Sequence, residues 1–477
     1  MPSHDIHIDD VLARVPDIAA LRAARDAVGL PAWVVGGTVR DLLLGRDPAD
    51  VDIATRHPEP LARHLAGITG GHVVLMDAET GVWRVALPAG RCLDLCRFRA
   101  CDILGDLRGR DFTFNAMALR LPEGDKPGGL LDPFHGLADL NAGLLRMVDA
   151  RAFRDDPARI LRAYRFISDL RLAMETDTRT AMLAVADQLA AVAPERLLRE
   201  WWALCAGAHA AWALRAMSDD GVLGILLPEL LDAKGLAQNA YHHLDVWEHL
   251  LLTAVEATRL LYHPEEVLED LAPDFAPLLD DAHRRARFVC LALFHDAGKP
   301  LTRSVKNDRV HFYRHEVAGA ELMGRIGTRL RMSRRDRQAL TAAIRHHMRP
   351  LFLAQQVDGR GPGRKAMVKF FEETGGVWLE VLALSLADKA AARGPEADPR
   401  LRERQLALYR ALVAFHRDVY QPALAHPVLT GADLLPLLPP GPHIGQVLRQ
   451  ARHKQLLGEL PTREKALRWA ERTIQHG

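Results

Sequence analysis

The spacing of hydrophobic positions along the chain changes near residue 150. Before that point, short apolar runs alternate with polar positions and are bounded by glycine and proline, which is typical of strands. Apolar spacing predicts one helix over 8–29 and another over 57–67, and the predicted strands follow at 72–76, 81–87 and 91–99. After residue 150, apolar positions keep helical spacing almost to the C-terminus. The pattern therefore predicts an α+β multidomain fold, in which a small α/β head on a short sheet is followed by all-α regions.

Residues 32–55 combine two predicted strands with a glycine turn. The first strand ends at Gly36 and Gly37, a short helix follows, and a turn leads into a strand that carries Asp50 and Asp52. Residues two apart on a strand face the same side, roughly 6.6 Å apart along it. Carboxylates at that separation suit a pair of divalent metal ions, which can activate a hydroxyl and stabilise a phosphate leaving group. A merely solvated pair of aspartates is the alternative, and the adjacent glycine turn argues against it.

The glycine turn brings phosphate-binding groups close to these carboxylates. Gly36 and Gly37 let the backbone approach an anion, and Arg40, one turn into the helix, is expected to face the same phosphates. The order Gly-Gly-x-x-Arg-Asp followed by Asp-x-Asp resembles the signature of the tRNA nucleotidyltransferase and bacterial poly(A) polymerase superfamily, in its eubacterial-type class II branch. The resemblance implies that Asp50 and Asp52 are catalytic and hold Mg²⁺, that CTP and ATP are substrates, and that tRNA is the partner.

A later segment of the head resembles a second motif of that superfamily. Residues 108–116 resemble Arg-Arg-Asp-Phe-Thr-Ile-Asn-Ala, which implies nucleotide binding by Arg110 and Asp111, while Gly109 stands where the family has its first arginine. An aspartate can accept from a sugar hydroxyl and an arginine can pair with a phosphate. Asp94, on the preceding predicted strand, is either a third carboxylate of the cluster or a polar residue on an exposed strand face.

The helical part opens with an acid-base pair. Asp156 and Arg159 resemble the family's Glu-Asp-x-x-Arg motif, which reads the base of the nucleotide with side chains, and Arg162 is expected to contact the triphosphate. A spacing of three places Asp156 and Arg159 on one helical face, where one side chain accepts and the other donates. Considered alone, the two residues also suit a helix N-cap with an ion pair.

Histidine and aspartate recur on apolar helices in the middle of the chain. His249, the doublet His295-Asp296 and Asp388 each end or lie on such a helix, and in this order they resemble the HD-domain metal-dependent phosphohydrolases. Imidazole and carboxylate suit a divalent metal, of unknown identity here, that activates water against a phosphate ester. A helical scaffold that keeps these residues without a competent site is the alternative.

Further histidines between these groups extend the resemblance. His315, His346 and His347 are expected to supply ligands for a second metal, as in the two-metal members of the HD family. Lys299, shortly after the doublet, is expected to neutralise the phosphate.

Composition limits the possibilities further. The chain has 477 residues, of which 48% are hydrophobic and 26% charged, as in globular proteins of several domains. A net charge of +1 means that RNA binding must use local basic patches. The five cysteines are odd in number and lack C-x-x-C spacing, so reduced thiols and a cytoplasmic location are expected. No apolar run nears membrane-spanning length, so no membrane partner is expected, and the oligomeric state is not indicated.

Together these features predict four regions. They are a nucleotidyltransferase head over 1–150, a helical base-reading and RNA-binding neck over 151–238, an HD phosphohydrolase domain over 239–395, and a helical tail over 396–477 that contacts tRNA. The predicted function is addition of CMP and/or AMP to the 3′ end of tRNA, with an additional HD-type phosphohydrolase site.

The extent of addition is predicted from a short segment. Only ten residues, 100–109, separate the strand ending at Arg99 from Arg110. CCA-adding members of the family usually carry a longer flexible loop there, and CC-adding members resemble this chain in lacking it, so a CC-adding form is expected. The alternatives are a CCA-adding enzyme with a short loop, an A-adding enzyme, a poly(A) polymerase, and a phosphohydrolase with an inactive RNA-binding head.

Overall fold

The computed structural model describes residues 7–48, 50–79, 81–88, 90–123, 127–239, 241–355, 361–395 and 398–476. The chain forms two compact units, Met1–Val192 and Ala193–Gly477. The first carries the strands that the sequence predicts, and the second is helical apart from one hairpin. Across the described parts of both units, no helix combines the length and the apolar character that crossing a bilayer requires.

The first unit contains nine helices and nine strands among its described residues. Its helices are α1 Ile8–Ala13, α2 Ile18–Val28, α3 Gly37–Leu43, α4 Pro58–Thr69, α5 Ile103–Arg108, α6 Gly136–Asn141, α7 Arg151–Asp155, α8 Ala158–Leu170 and α9 Thr176–Leu183. Its strands are β1 Ala32–Val35, β2 Asp50–Thr55, β3 His72–Asp77, β4 Val82–Ala86, β5 Cys92–Arg97, β6 Ala118–Arg120, β7 Gly129–Leu131, β8 Leu144–Leu145 and β9 Ala173–Met174.

Seven of these strands form one mixed sheet in the order β3-β4-β5-β2-β1-β6-β7. Strands β2 and β5 are parallel, and every other neighbouring pair is antiparallel. Alternate side chains of β2 and β5, such as Val51, Ile53 and Leu93, are fully buried on one face. The α/β head that the sequence predicts is therefore confirmed, and the side chains between these buried positions are directed to the opposite face.

The helix predicted over 8–29 is in fact two helices, α1 and α2. Pro16 lies between them, and Asp17 adopts a left-handed backbone conformation with φ of 54°. Proline supplies no amide donor, and a left-handed residue cannot continue a right-handed helix. The apolar spacing continues across this break because α1 and α2 each bury an apolar face.

The second unit contains eighteen helices and one hairpin among its described residues. Its helices are α10 Pro194–Ala206, α11 Ala210–Asp219, α12 Val222–Leu226, α13 Val246–Tyr262, α14 Pro264–Leu268, α15 Ala276–Leu279, α16 Ala282–Phe294, α17 Lys299–Thr302, α18 His315–Arg329, α19 Arg334–His346, α20 Arg349–Gln355, α21 Arg364–Thr374, α22 Trp378–Ala391, α23 Leu401–Phe415, α24 Gln421–Ala425, α25 Gly431–Leu434, α26 Pro442–Leu457 and α27 Arg463–His476. Its hairpin consists of β10 Arg303–Lys306 and β11 Arg309–Phe312.

The hairpin departs from the all-helical prediction for this region. Asn307 and Asp308 form its turn with φ values of 50° and 56°. Asparagine and aspartate tolerate positive φ better than other residues with a side chain, and two such residues suit a tight hairpin turn. The helices of this unit pack around α13, α16 and α22, most of whose apolar residues are buried. Close packing of these three helices therefore fixes the positions of the side chains that they direct into the core of the unit.

Candidate active site and candidate metal centre

Three carboxylates share the open face of the seven-stranded sheet. Asp50 and Asp52 alternate with buried Val51 along β2, and Asp94 of β5 is the register partner of Asp52. The side chain of Asp94 is only 16% exposed, and both of its oxygens accept from Arg84 at 2.7 Å. Arg84 also lies 3.9 Å from a carboxylate oxygen of Asp50. Asp94 therefore belongs to the carboxylate cluster, where Arg84 balances part of the negative charge.

The cluster suits a divalent cation. Burial raises the pKa of Asp52, the charge of Arg110 opposes that rise, and the neighbouring Asp94 and Asp50 add to it. A cation would remove the repulsion among these carboxylates, and carboxylate oxygens are the ligands that Mg²⁺ prefers. The residues present thus fit the Mg²⁺ that the sequence predicts.

The glycine turn brings an arginine to the same face. Gly36 has φ of 69°, and a Cβ built there would lie 2.5 Å from Nη1 of Arg110 and 3.6 Å from a carboxylate oxygen of Asp52. Only glycine allows both the left-handed backbone and this close approach. Gly37 opens α3, whose Thr38 hydroxyl accepts from the backbone amide of Asp52 at 2.9 Å. The turn and the carboxylate strand are therefore held together directly.

Arg40 lies beneath the turn with its guanidinium engaged inside the protein. It is buried, donates to Asn115 at 2.9 Å, and donates from two further nitrogens to Asp41. Its guanidinium also lies over the ring of Phe166, 5.1 Å from the centroid. These contacts link the turn to the 113–115 segment, and a direct phosphate contact by Arg40 stays a prediction.

Arg110, Asp111 and Arg162 form a linked set next to the turn. Arg110 donates twice to buried Asp106, and Arg162 donates to Asp111 at 2.5 Å. Burial would raise the pKa of Asp111, but the charge of Arg162 and hydrogen bonds from Asn115 and Phe112 outweigh it and lower the pKa to about 2. Asp111 is therefore an anion at neutral pH and holds Arg162 in place.

The structure brings Asp156 and Arg159 together, although Asp156 precedes helix α8 rather than lying on it. Asp156 accepts from the amide of Ala158 at 3.2 Å, and its carboxylate lies 4.0 Å from Nε of Arg159. Arg159 also donates to the carbonyl of Gly109 at 3.0 Å. This geometry contains the cap and the loose ion pair of the alternative interpretation. It also leaves both side chains partly exposed, as reading a base requires.

The predicted HD residues converge on one buried centre. Nε2 of His249 lies 3.2 Å from Asp388 and 3.6 Å from Asp296. Nε2 of His295 lies 3.3 Å from Asp296 and 3.7 Å from Asp388. On the other side of Asp296, His315 and His347 approach its second oxygen at 3.1 and 3.6 Å. Asp296 therefore lies between two groups of possible metal ligands.

The orientation of the imidazoles suits metal binding. Nδ1 of His295, His315 and His347 each lies 2.7–2.9 Å from the carbonyl oxygen of the residue three positions earlier. A proton on Nδ1 that donates to this carbonyl leaves the Nε2 lone pair free to bind a metal. Nε2 of His249, Nε2 of His295 and one oxygen of Asp388 are buried and have no hydrogen-bond partner among the described residues. A divalent metal would satisfy these atoms, so the residues fit it.

His346 does not join this centre in the described structure. Its pKa is lowered by burial, and the charges acting on it come from Glu373, Arg349 and Arg345 rather than from Asp296. Adjacent residues on a helix point about 100° apart, so the ring of His347 can face the centre only if His346 turns away from it. Of the three added histidines, the structure brings His315 and His347 to Asp296 and leaves His346 apart, and binding of a second metal by the first two stays a prediction.

A cavity of about 790 Å³ opens beside the candidate metal centre within the second unit. Asp296, His315 and Asp388 form part of its wall, together with Lys299, whose ammonium lies 2.5 Å from Asp296. His242 also lines it, with its ring 4.6 Å from that of His249. Sequence reasoning left His242 without a role, and its position directly before the His249 helix was the available signal.

Three family descriptions match successive parts of the chain. Residues 32–146 match the poly A polymerase head domain, residues 171–234 match the probable RNA and SrmB-binding site of polymerase A, and residues 246–393 match the HD domain. The A-adding tRNA nucleotidyltransferase of Deinococcus radiodurans is 38% identical over 459 residues, which cover 93% of this chain and 96% of that protein. This chain belongs to the tRNA nucleotidyltransferase family.

The names of other family members specify different added nucleotides. The CC-adding tRNA nucleotidyltransferase of Thermus thermophilus is 31% identical, over 91% of this chain and 92% of that protein. Among solved structures, a CCA-adding enzyme with CTP has a TM-score of 0.63 and 21% identity, over 98% of this chain and 99% of that one. The Thermotoga maritima CCA-adding enzyme complexed with tRNA has a TM-score of 0.61, also at 21% identity. The structural likeness confirms the predicted succession of a nucleotidyltransferase head and helical regions.

Proposed function

We propose that this nucleotidyltransferase adds cytidylate residues to the 3′ end of tRNA and leaves the terminal adenylate to another enzyme. The observation that carries nucleotidyl transfer is the cluster of Asp50, Asp52 and Asp94 on the open sheet face, with Arg110 opposite Asp52. Asp50 and Asp52 would hold Mg²⁺, which activates the 3′ hydroxyl and stabilises the leaving pyrophosphate when bound. Asp94 and Arg84 set the charge of this face beside them.

The remaining head residues position the nucleotide. Arg110 borders the Gly36 turn, where no side chain blocks the approach of phosphates. Asp111 orients Arg162 toward the triphosphate with one oxygen, while its other oxygen accepts from the amide of Phe112 and from the side chain of Asn115. Asp156 and Arg159 read the base, because together they offer an acceptor and donors at the partly exposed start of α8. Each of these roles is part of the proposal.

Restriction to CC addition is supported by helix α5. Asp102 caps this helix by accepting from the amide of Gly105 at 2.8 Å, and Leu107 is fully buried in a cluster with Val35 and Ala116. Asp106 accepts from the amide of Arg99 as well as from Arg110. A capped and packed helix occupies the place where a mobile loop would change the base-reading site from CTP to ATP.

A-only addition is the second candidate, and the 38% identity to the Deinococcus radiodurans A-adding enzyme favours it. The two candidates predict different products from tRNAs that lack one, two or all three terminal nucleotides. With CTP and ATP supplied together, CC addition converts the fully truncated tRNA into a product ending in CC and leaves the CC-ending tRNA unchanged. A-only addition extends the CC-ending tRNA alone. A complete CCA end on the fully truncated tRNA would reject both.

The second unit is proposed to hydrolyse a phosphate ester. This proposal is supported by the buried imidazole and carboxylate atoms around Asp296 and by the cavity beside them. Divalent metal at His249, His295, Asp296 and Asp388 would supply a water of lowered pKa as the nucleophile. Lys299, held by Asp296 and by Gln238 at 2.6 Å, faces the cavity and would meet the phosphate charge. Release of phosphate from p-nitrophenyl phosphate or from a 2′,3′-cyclic nucleotide, dependent on added metal, is the test.

A further inference from the structure

Arg84 lies on the open sheet face, on the side of the carboxylates away from the glycine turn. Strand β1, which leads into the turn at Gly36, adjoins β2 on one side, and β5 and then β4 follow on the other. Asp94 pairs in register with Asp52 of β2 and with Arg84 of β4, so the three side chains are directed to one face. The carboxylate strand β2 therefore lies between the glycine turn and Arg84.

The guanidinium of Arg84 is held along one edge and open along the other. Its Nε and Nη2 donate to the two oxygens of Asp94 at 2.7 Å each, and Nη2 lies 3.9 Å from a carboxylate oxygen of Asp50. Nη1 donates no hydrogen bond to any residue in the described parts of the chain, and the side chain is 32% exposed. The bidentate pair fixes the plane of the guanidinium, so its remaining donors are already oriented for a ligand.

The surface beyond Arg84 leaves room for an extended chain. Val74 of β3 is the register partner of Arg84, and His72 faces the same side two residues earlier. Both side chains are exposed and neither carries a negative charge. Strand β3 is the edge of the described sheet, so no further strand lies beyond it. A polyanion that approaches the carboxylates across β3 and β4 therefore meets Arg84 first.

The chemistry of the proposed transfer requires two approaches to this cluster. In displacement at phosphorus, the attacking and leaving oxygens lie roughly in line, on opposite sides of the transferred group. The leaving pyrophosphate belongs on the side of the glycine turn, where the backbone at Gly36 and the guanidinium of Arg110 lie together. The attacking 3′ hydroxyl must then come from the other side, which is the side of β5 and β4.

We propose that Arg84, held in place by Asp94, binds the last phosphodiester of the RNA, next to the attacking 3′ hydroxyl. This inference rests on the proposed nucleotidyl transfer. A guanidinium presents a planar set of donors that suits phosphate oxygens. Contact with the last phosphodiester holds the terminal ribose beside Asp50 and Asp52. Phosphate could also come from the nucleotide, but the position of β2 between Arg84 and the glycine turn favours the RNA.

The test compares Arg84→Ala with the matched variant Arg63→Ala. Arg63 of α4 pairs with Glu59 and lies over the ring of Trp83, which precedes Arg84 on β4 and is directed to the opposite face. Loss of one charge-assisted contact is expected to raise the KM for tRNA by about ten- to a hundredfold, while the KM for CTP stays within about twofold. In tRNA binding without nucleotide, the slope of log Kd against log salt should fall by about 0.7, the share of one single-stranded phosphate. Arg63→Ala should change none of these values.

A neutral substrate analogue identifies the phosphate that Arg84 binds. With wild-type protein, tRNA carrying a methylphosphonate at its last phosphodiester should show a KM raised by about the same factor as Arg84→Ala. The variant itself should lose little more on this analogue, because the contact is already absent. Equal further losses in wild type and variant, an unchanged KM for tRNA, or a rise confined to the KM for CTP would overturn the inference.

Removing both members of the pair separates RNA binding from charge balance. Arg84→Ala/Asp94→Asn leaves no unpaired carboxylate, so it also serves if Arg84→Ala alone is unstable. Its KM for tRNA should stay high, whereas a KM restored to the wild-type value would show that Arg84 only balances Asp94 and would overturn the inference. Wild-type protein that binds tRNA but adds no nucleotide would instead overturn the proposed function.

Discussion

The two candidate sites of this protein differ in how complete they are before any ligand binds. On the sheet face of the first unit, the side chain of Asp50 is 56% exposed, and the carboxylate of Asp94 is paired with Arg84. In the second unit, six histidine and aspartate residues converge from separate helices, and each is at most 9% exposed. Donors oriented by backbone carbonyls and removed from water form a preorganised metal site, whereas a carboxylate cluster that is open at Asp50 binds a metal weakly until phosphates complete its shell. We therefore expect a metal bound in the head to exchange more readily than one bound in the HD centre.

The largest expected effect concerns the carboxylate site of the first unit. Asp52→Asn removes a proposed metal ligand and should lower nucleotide addition by about a thousandfold or more, because the reacting oxygens lose their shared cation. The melting temperature should change little, since the carboxylate repels its neighbours in the metal-free protein. Addition assays with labelled CTP measure the first and calorimetry the second. Asp47→Asn, on the exposed turn before β2, is the control, and near-normal addition by Asp52→Asn would end the metal assignment.

The second expected effect concerns metal retention at the HD centre. Asp296→Ala should abolish metal retention in the second unit, because this carboxylate lies between both ligand groups. Nucleotide addition should stay within about threefold of wild type, since the carboxylates of the head belong to a different unit. Metal content after extensive dialysis, measured by mass spectrometry, is the readout. Retention of wild-type metal, or a parallel loss of nucleotide addition, would contradict this separation.

The base-reading pair should show a smaller effect, on selectivity. Asp156→Ala or Arg159→Ala leaves the base of the nucleotide without one of its partners, which costs roughly 1–3 kcal/mol or about tenfold or more in discrimination. We expect increased incorporation of UTP or GTP relative to CTP, measured by competition between labelled nucleotides. If both variants keep wild-type selectivity, the base is read elsewhere in the head.

The smallest expected effect concerns stability against pH. The folded-state pKa of Asp111 is about 2, below its usual 3.8, so its charge stabilises the fold above pH 4 and that contribution is lost as the pH falls toward 2. The shift corresponds to about 2 kcal/mol. Asp111→Asn should therefore destabilise the first unit at pH 7 and less so near pH 2. Hydrogen exchange of the β6 amides reports on this unit, and a pH-independent difference would show that packing, not charge, is what the variant changes.

Residue spacing predicted which side chains of both sites share a face, because spacing acts locally, and the resemblance to known families implied their roles. The two-residue period of a strand fixes Asp50 and Asp52 on one face wherever the strand lies, and the His295-Asp296 doublet at the end of an apolar helix needs only that helix to be buried. The order of the motifs also indicated the α/β head and the helical remainder. None of this required knowledge of which elements meet.

What only the tertiary structure decided depends on partners distant in the chain. Arg40 was expected at the phosphates, which stays a prediction, and only the structure shows that its guanidinium also donates to Asn115, because β6 and the segment before it pack beside β1. His347 faces Asp296 and its neighbour His346 does not, since the rotation of α19 is set by packing against α18. Sequence spacing determines which face of its own element a side chain occupies. Its hydrogen-bond and charge partners depend on the other elements that pack against that face in the folded protein.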